Sequence, residues 1–282
     1  MFHILKKEIL NPTMTRMVVE APYIAKKALA GQFIVLRVNE YGERIPLTIA
    51  DYDRNKGTIT IIYQKVGKTT LLLDKLNEGD FILDFVGPLG KPSDIKGYKK
   101  VAVIGGGAGC AIAYPQAKAL YNMGAYVDII AGFRNKDLII LEDDMKNVCN
   151  NLYIMTDDGS NGAKGFVTDT LINQIKSGVN YDLVITIGPL AMMKAVSKIT
   201  KQFEIKTIVS MNPIIIDGTG MCGGCRLTVS GETKFACVDG PDFDGHEVDF
   251  DEMIKRLSTY KSEEQMSLKR YNCNLMRGVD NA

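Results

Sequence analysis

The sequence has no excess of charge of either sign, because 34 basic and 33 acidic residues leave a net charge of +1. This balance excludes the basic surface that a nucleic-acid-binding protein needs. The sequence also has no apolar run long enough for a signal peptide or a membrane span, since glycines and flanking lysines interrupt its most apolar window, VAVIGGGAGCAIAYPQAKAL. We therefore expect a cytoplasmic protein without nucleic-acid or membrane partners.

Cysteine is scarce, with six in 282 residues. In a cytosolic chain this argues against a disulfide framework. Three of the six lie between positions 222 and 237, and such clustering favours a metal or redox site. The scattered Cys110, Cys149 and Cys273 are expected to be small buried hydrophobes or incidental thiols.

The length favours about two domains and a short appendage. In residues 1–97, short β-branched and apolar runs alternate with turns and are interrupted by one helical segment, KTTLLLDKL, which predicts a small antiparallel β barrel. Residues 98–212 alternate strand-like and helix-like segments, which predicts an α/β domain with a parallel sheet. Residues 213–282 are first rich in glycine and cysteine and end in one predicted helix, DEMIKRLSTYKSEEQMSL.

Two strand-to-helix turns are candidate phosphate sites. In the first half, Val66 leads into Gly67, Lys68, Thr69 and Thr70, where free backbone N–H groups and a helix dipole could hold a pyrophosphate. The alternative is an ordinary glycine turn with a threonine cap. In the second half, the strand VAVI runs into a turn whose glycines are Gly105, Gly106, Gly107 and Gly109. Such glycines admit a dinucleotide pyrophosphate, although a βα turn without a ligand is the alternative.

Three further predicted strands end in polar or glycine residues, where open α/β sheets bind their ligands. These residues are Arg134 after the second strand, Asp157, Asp158 and Gly159 after the third, and Gly188, Pro189 and Met192 after the fourth. A carboxylate there could accept a hydrogen bond from a ribose 2′-OH and would repel a 2′-phosphate, which favours NAD over NADP. The alternative is a capped, solvated turn.

The cysteine segment reads DGTGMCGGC and continues to Cys237. Plant-type 2Fe-2S clusters use the spacing C-x4-C-x2-C with a distant fourth cysteine. Counting back from Cys222 by this rule reaches Asp217, so we predict the ligands Asp217, Cys222, Cys225 and Cys237. Two alternatives are a structural zinc site completed by Asp217 or His246, and a CxxC dithiol.

The order of barrel, dinucleotide fold and cluster segment resembles the ferredoxin reductase superfamily. DGTGMCGGC with Cys237, CVDGPDFDGHEVDF and TDDGSNGAKG are similar to segments of the electron-transfer subunits of class B dihydroorotate dehydrogenase. The resemblance is stronger to the small subunits of NADH-dependent reduced ferredoxin:NADP oxidoreductases, the electron-bifurcating transhydrogenases. Those subunits have aspartate as the first cluster ligand, whereas the dihydroorotate subunits have cysteine.

The resemblance implies an FAD-binding barrel, an NAD-binding α/β domain and a 2Fe-2S segment. The family's flavin motif falls on Arg44, Pro46, Leu47 and Thr48, with Thr48 near the flavin N5, while Tyr63, Gln64, Gly67, Lys68, Thr69 and Thr70 would line the ribityl and pyrophosphate groups. Leu47 stands where the family has tyrosine, and the arginine is shifted by one residue. Ile187 replaces the cysteine of the family's Cys-Gly-Pro, and Phe243 is implied to lie close to the flavin or the cluster.

The implied activity is electron transfer between NAD(H), FAD and the 2Fe-2S cluster. The implied partner is a large subunit with its own FAD and 4Fe-4S clusters, through which ferredoxin and NADP(H) would react. Two other functions stay open at this point. One is the electron-transfer subunit of an NAD-linked dihydroorotate dehydrogenase, and the other is a zinc-stabilised nucleotide-binding interaction module.

Overall fold

A computed structural model describes residues 1–276, and residues 277–282 of the predicted C-terminal segment lie outside this range. The strands are β1 (Phe2–Asn11), β2 (Met14–Glu20), β3 (Phe33–Arg37), β4 (Ile45–Asp53), β5 (Thr58–Gln64), β6 (Phe81–Ile82), β7 (Asp84–Leu89), β8 (Lys100–Gly106), β9 (Tyr126–Phe133), β10 (Asn151–Thr156), β11 (Leu183–Ile187), β12 (Thr207–Ser210), β13 (Arg226–Val229), β14 (Glu232–Phe235) and β15 (Asp242–Asp244). The helices are α1 (Pro22–Ala25), α2 (Lys68–Lys75), α3 (Gly109–Asn122), α4 (Glu142–Lys146), α5 (Val167–Lys176), α6 (Leu190–Gln202), α7 (Phe250–Leu257) and α8 (Lys261–Met276).

The first half of the chain forms the predicted antiparallel barrel. Its seven strands pair in the order β6-β1-β2-β5-β4-β3-β7, and because β6 and β7 are consecutive in the chain, the sheet is nearly closed. Alternate residues point inward, and Ile4, Met17, Ile34, Ile49 and Ile61 are each no more than 1% exposed. This period-two burial is what the alternating apolar residues predict.

The second half contains the predicted parallel sheet. Its strands lie in the order β10-β9-β8-β11-β12, all parallel, and β15 adds an antiparallel strand at the β12 edge. Strands β8 and β11 are apolar over nearly their whole length because helices cover both faces of such a sheet. The sheet also contains the short strands β12 and β15, which the sequence analysis did not identify, and it therefore has more strands than predicted.

The C-terminal segment packs against both halves. Cys225, Cys237 and Leu227 belong to one apolar cluster with Phe33 of β3 and Met193 of α6. The candidate cluster segment is therefore held between the barrel and the α/β domain.

The single helix predicted near the C-terminus is wrong in one respect, because the structure divides it into α7 and α8 around Ser258–Tyr260. The Ser258 hydroxyl donates to the Lys255 carbonyl at 2.6 Å, a local bond of the kind that competes with helix continuation. Helix α8 then returns to contact α2 of the barrel. Within residues 1–276, no helix combines the length and apolar character needed to cross a membrane.

Candidate functional site

A cleft of about 810 Å³ lies at the carboxyl ends of β8, β9 and β11 and is closed on one side by the barrel. Nine of the residues named in the sequence analysis line it: Gln64, Gly106, Gly107, Gly109, Arg134, Asp157, Gly188, Pro189 and Met192. Because these residues come from separate strand ends, the parallel topology is what brings them together. Gly105 is the penultimate residue of β8 and is not part of the described cleft lining.

The glycine turn after β8 has two different requirements for glycine. Gly107 adopts a φ of +54°, and a Cβ added there would meet nothing within 4 Å, so its backbone is open toward the cleft. At Gly109 a Cβ would lie 2.2 Å from the Ile187 carbonyl oxygen, so glycine is needed there for α3 to pack on β11. The N–H of Gly107 donates to the Gly132 carbonyl, so the N–H groups of Ala108 and Gly109, at the start of a 14-residue helix, are the ones that could meet a pyrophosphate.

The two adjacent aspartates after β10 have different positions. Asp157 lines the cleft, together with Arg134 from the end of β9. The Oδ1 of Asp158 instead accepts a 2.9 Å hydrogen bond from the Ser160 N–H and closes the turn. Hydrogen bonds from Ser160 lower the pKa of Asp158, as expected for a capping carboxylate. Asp158 and Gly159 are thus turn residues, and Asp157 is the carboxylate that can meet a ligand.

The second predicted phosphate site lies at the start of α2. The Thr70 hydroxyl accepts hydrogen bonds from the N–H groups of Val66 and Gly67 at 3.1 and 3.0 Å, which ties the turn to the helix. In any α-helix the N–H groups of the first turn have no carbonyl acceptor within the helix, and here these include the N–H groups of Lys68 and Thr69. A Cβ added to Gly67 would meet nothing within 4 Å, so the turn is open on this side. This open turn also fits an anion.

Asp74 anchors the other end of α2 to the barrel. Its Oδ1 accepts hydrogen bonds from Thr15 at 2.7 Å and from Tyr63 at 3.2 Å, and its carboxylate pairs with Lys7 and Lys65 at 3.8 and 3.4 Å. Tyr63 is 2% exposed, so its side chain belongs to the barrel core. The Tyr63 hydroxyl supports α2 through Asp74, and the expected place of this residue beside a ribityl group stays a prediction.

The predicted flavin motif lies around the start of β4. Arg44 is exposed, whereas Pro46, Leu47 and Thr48 are half-buried, and Leu47 packs against the barrel core. Thr48 pairs with Phe33 across β3 and β4. Among the residues that the structure describes, those of this motif and of the α2 turn are not part of the cleft lining, so their role toward a flavin stays a prediction.

The cysteine segment forms two loops. In the first, the carboxylate of Asp217 accepts hydrogen bonds from the N–H groups of Thr219 at 2.9 Å and Cys222 at 2.8 Å. In the second, the Sγ atoms of Cys225 and Cys237 are 3.2 Å apart, and both cysteines are 1% exposed. Asp217 and Cys222 thus lie toward the surface and the other two thiols lie below it.

The chemistry of these four side chains fits an iron–sulfur cluster. Backbone N–H groups approach the sulfur atoms of Cys222 and Cys225 at 3.5 Å, as they do around thiolate clusters. Burial raises the pKa of Cys237, whereas the N–H of Thr219, followed by that of Cys222, lowers the pKa of Asp217. Asp217 is therefore an anion before any metal binds, and a bound cation would offset the raised thiol pKa.

The four side chains are not drawn together as for a single metal ion, since no group of three potential ligands in residues 1–276 meets that condition. His246, the alternative zinc ligand, lies away from the thiols. Its Nε2 is 3.0 Å from the Thr200 hydroxyl and its Nδ1 is 3.9 Å from Asp244. His246 thus interacts with Thr200 and Asp244, and neither contact involves the thiols.

The structure adds residues to the site that the sequence analysis missed. They are Asn11, Thr13 and Met14 at and around the β1–β2 turn, Gly165, Phe166 and Thr168 before and in α5, Ser210 at the end of β12, and Asn212 just after it. The Asn-Pro turn and the glycine of GAKGF were local signals for loops, but their shared position follows only from the topology. Phe166 is 62% exposed at the cleft rim, where its ring could stack on a nucleobase. Phe243 packs in the apolar cluster that contains Cys225 and Cys237.

Comparison with known proteins also indicates an iron–sulfur cluster and electron transfer. Residues 212–249 match the family described as the iron–sulfur cluster binding domain of dihydroorotate dehydrogenase B. The chain is 47% identical to the dihydroorotate dehydrogenase B (NAD(+)) electron transfer subunit homolog of Thermotoga maritima, over 90% of this chain and 89% of that protein. It is 34% identical to the corresponding electron transfer subunit of Clostridium perfringens, over 79% of this chain and 88% of the other.

Among solved structures, one that describes the NADH-dependent reduced ferredoxin-NADP oxidoreductase and flavin-based electron bifurcation has a chain with 45% sequence identity. That chain superposes with a TM-score of 0.90, and the match covers 95% of this chain and 97% of the other. The similarity therefore includes the barrel, the α/β domain and the cysteine segment together.

Proposed function

The chain belongs to the family of dihydroorotate dehydrogenase B electron-transfer subunits and their homologues, and from this premise we propose that it is the small subunit of an electron-bifurcating, NADH-dependent ferredoxin:NADP oxidoreductase. It passes electrons between NAD(H), FAD and a 2Fe-2S cluster. The 45% identity and TM-score of 0.90 to a chain of such an oxidoreductase carry this assignment. Asp217, in the position of the first cluster ligand, supports it further.

The cofactors supply hydride acceptance and single-electron transfer when they are bound. The chain's own residues bind and orient them. In the α/β domain, the turn at Gly107 would receive the pyrophosphate of NAD(H), Asp157 the ribose hydroxyls, and Gly188 and Pro189 the wall beside the nicotinamide. In the barrel, Gly67 to Thr70 would receive the FAD pyrophosphate, with Arg44, Pro46, Leu47, Thr48 and Gln64 around the remainder.

The cysteine segment would hold the cluster through Asp217, Cys222, Cys225 and Cys237. Three thiolates supply soft sulfur ligands, and the carboxylate supplies a harder anionic oxygen that still suits ferric iron. Cys222 and the neighbouring Met221 are exposed, and Met221 reaches 88% exposure. This face of the segment is therefore where we propose that a large subunit, with its own FAD and 4Fe-4S clusters, accepts electrons.

Ferredoxin and NADP(H) would react at that large subunit. The proposal that ferredoxin and NADP(H) are the reactants rests on the similarity to the bifurcating oxidoreductase. We place the complex in the cytoplasm because a chain that keeps its cysteines as thiolate ligands suits a reducing compartment.

The proposal is tested by purifying the protein anaerobically and measuring iron, acid-labile sulfide, zinc and flavin. Visible and paramagnetic spectra are then recorded before and after NADH is added. We expect one FAD, two irons and two sulfides per chain at about stoichiometric level, with bleaching of both chromophores by NADH. Zinc without sulfide, or flavin that NADH does not reduce, would contradict the proposal.

The second candidate is the electron-transfer subunit of an NAD-linked dihydroorotate dehydrogenase, which the match of residues 212–249 favours. The two functions differ in the partner. Affinity purification of the chain from its native cells distinguishes them, because a partner with 4Fe-4S clusters supports bifurcation and a dihydroorotate-oxidising partner supports the alternative.

A further inference from the structure

Two arginines hold the CGGC loop of the cysteine segment by its backbone. In α7, the Nη2 of Arg256 donates to the Gly224 carbonyl at 3.2 Å. Arg226, the first residue of β13, donates from its Nη1 to the Gly223 carbonyl at 3.1 Å. These glycines are the two residues between the cysteines of the CGGC loop. Both carbonyl groups inside the loop are therefore bound by a guanidinium group.

These bonds also set the direction of the N–H groups of the loop. A trans peptide is planar, so its C=O and its N–H point in opposite directions. The peptide that joins Gly223 to Gly224 has its carbonyl turned toward Arg226. Its N–H donates to the Sγ of Cys222 at 3.5 Å. The next peptide is held in the same way by Arg256. The arginines thus keep the carbonyl dipoles turned away from the sulfur ligands, so that N–H groups can face them.

The packing of α7 places Arg256 beside the loop. Met253 of α7 is 0% exposed and belongs to the apolar cluster that contains the two buried thiols. The Oε2 of Glu252 accepts the N–H of Thr228 in β13 at 3.0 Å. One helical turn after Glu252, Arg256 is half-buried and reaches the loop. The position of this guanidinium group is therefore fixed by the fold.

In the part of the chain that the structure describes, neither arginine forms an ion pair. The arginine ion pairs there are those of Arg16 and Arg37. Of the nearby acids, Asp217 binds N–H groups of its own loop, and Asp239 accepts a backbone N–H at 2.8 Å. A guanidinium group stays charged in proteins. The half-buried charge of Arg256 is also screened less by solvent than an exposed one.

The proposed function, on which this inference rests, places a 2Fe-2S cluster at this loop. Asp217 and three thiolates would give the cluster four anionic ligands, and each added electron makes the site more negative. The reduction potential of such a cluster depends on its net charge and on hydrogen bonds to its sulfur atoms. A fixed cation beside the loop therefore favours the reduced form.

We propose that Arg256 is a positioning residue of the cluster site, whose hydrogen bond fixes the CGGC backbone and whose charge raises the reduction potential of the cluster. Arg226 has the same role from the exposed side. There water screens its charge, and its main-chain N–H also reaches the Gly223 carbonyl at 3.4 Å. The larger effect is therefore expected at Arg256.

The first test is a redox titration of the cofactor-loaded protein, followed by the paramagnetic signal of the reduced cluster. Arg256→Gln keeps a donor but removes the charge. We expect it to lower the ratio of reduced to oxidised cluster at a fixed potential by about tenfold, which is about 59 mV for one electron. Arg256→Lys keeps the charge and should stay within about twofold of wild type.

The matched control for this titration is Lys255→Gln, which removes an exposed charge from the adjacent residue of the same helix. Because solvent and salt screen that charge, its ratio should stay within about twofold of wild type. The role of the charge is overturned if Arg256→Gln titrates like wild type. It is also overturned if Lys255→Gln or Arg256→Lys shifts as far as Arg256→Gln.

The second test measures amide hydrogen exchange of residues 222–225 in the purified full chain, in samples of equal iron content. Arg256→Met removes the donor, and we expect exchange to be about tenfold faster or more, because a hydrogen bond from a charged group is lost. Lys255→Met should exchange like wild type. Unchanged exchange in Arg256→Met overturns the positioning role. If Arg256→Met does not fold, Arg256→Gln and Arg256→Lys, which both keep a donor, still decide the first test.

The two tests separate this inference from the proposed function. A purified protein without iron and sulfide overturns the proposed function, and the exchange measurement still decides whether Arg256 holds the loop. A protein with a cluster whose potential and loop exchange do not depend on Arg256 keeps the proposed function and overturns this inference.

Discussion

The Oδ2 of Asp217 accepts a 2.8 Å hydrogen bond from the N–H of Cys222, five residues further along the chain. The bond closes the loop DGTGMC and holds the Asp217 carboxylate beside the backbone of Cys222. Because the N–H groups of Thr219 and Cys222 lower the pKa of Asp217, the carboxylate is ionised and ready to bind a cation at neutral pH. The loop is therefore organised as a ligand pair before a cluster binds.

Replacing Asp217 tests whether it is a ligand. In Asp217→Ala we expect iron retention to fall by more than about tenfold and the paramagnetic signal of the reduced protein to change, because both a ligand and a loop constraint are lost. Asp217→Cys should retain the cluster with an altered spectrum, since it completes four thiolates. Glu232→Ala, in the exposed β13–β14 hairpin, is the control. Asp217→Ala with wild-type iron content and spectra would show that the fourth ligand lies elsewhere.

Replacing Asp74 tests the support of α2. Burial alone would raise the pKa of Asp74, but the Thr15 hydroxyl and the ammonium groups of Lys7 and Lys65 outweigh it, and the net direction is down. We expect Asp74→Asn to lower the free energy of unfolding by about 2–3 kcal/mol, because two partly buried lysines lose their counter-ion. FAD, whose pyrophosphate we propose to lie at α2, should also bind Asp74→Asn more weakly than it binds wild type.

The stability that Asp74 provides should depend on pH with a defined sign. A carboxyl with a lowered folded-state pKa contributes stability above the unfolded value of about 3.9, and this contribution disappears as the pH falls through the folded value. Wild type should therefore lose its advantage over Asp74→Asn in acid, measured by urea unfolding at several pH values. Glu40→Gln, at an exposed loop position, should follow wild type throughout. A constant difference between wild type and Asp74→Asn would mean that packing rather than charge is lost.

Replacing Gly109 tests the packing of α3 on β11. A Cβ there would lie 2.2 Å from the Ile187 carbonyl oxygen, so Gly109→Ala must displace the helix that starts at the predicted NAD pyrophosphate site. We expect a loss of about 1–3 kcal/mol in stability and a large loss of NADH affinity, by calorimetry. Gly67→Ala, where a Cβ meets nothing, should bind NADH like wild type. Unchanged NADH affinity in Gly109→Ala would remove this turn from the NAD site.

The barrel, the parallel sheet and the phosphate turn could all be predicted because their signals are local. Alternation of period two, strand and helix alternation, and the glycines from Gly105 to Gly109 need no knowledge of distant contacts. The cysteine spacing is local too, and counting along it predicts Asp217 as a ligand.

Other features depend on contacts between distant parts of the chain. Strand β15 joins the α/β sheet through pairing with β12, which a three-residue segment cannot reveal. The bond between the Tyr63 hydroxyl and Asp74 could not be predicted either, because it depends on the barrel register, which turns this side chain inward. The hydrogen bond from the Ser93 hydroxyl to the Asp242 carboxylate joins residues that are far apart in the sequence, so it could not be predicted before the fold was known.

The adjacent pair Asp157 and Asp158 allows a prediction with its control built into the sequence. Asp157 lines the cleft, whereas the carboxylate of Asp158 accepts the Ser160 N–H and closes a turn. A carboxylate facing the ribose repels a 2′-phosphate, so Asp157→Asn should raise the efficiency of NADPH relative to NADH by about tenfold, or about 1.4 kcal/mol, in flavin reduction. Asp158→Asn should leave this ratio within about twofold of wild type, because its charge is already engaged in the turn. Equal shifts in both variants would show that net charge at the strand end, and not the position of Asp157, sets the preference for NADH.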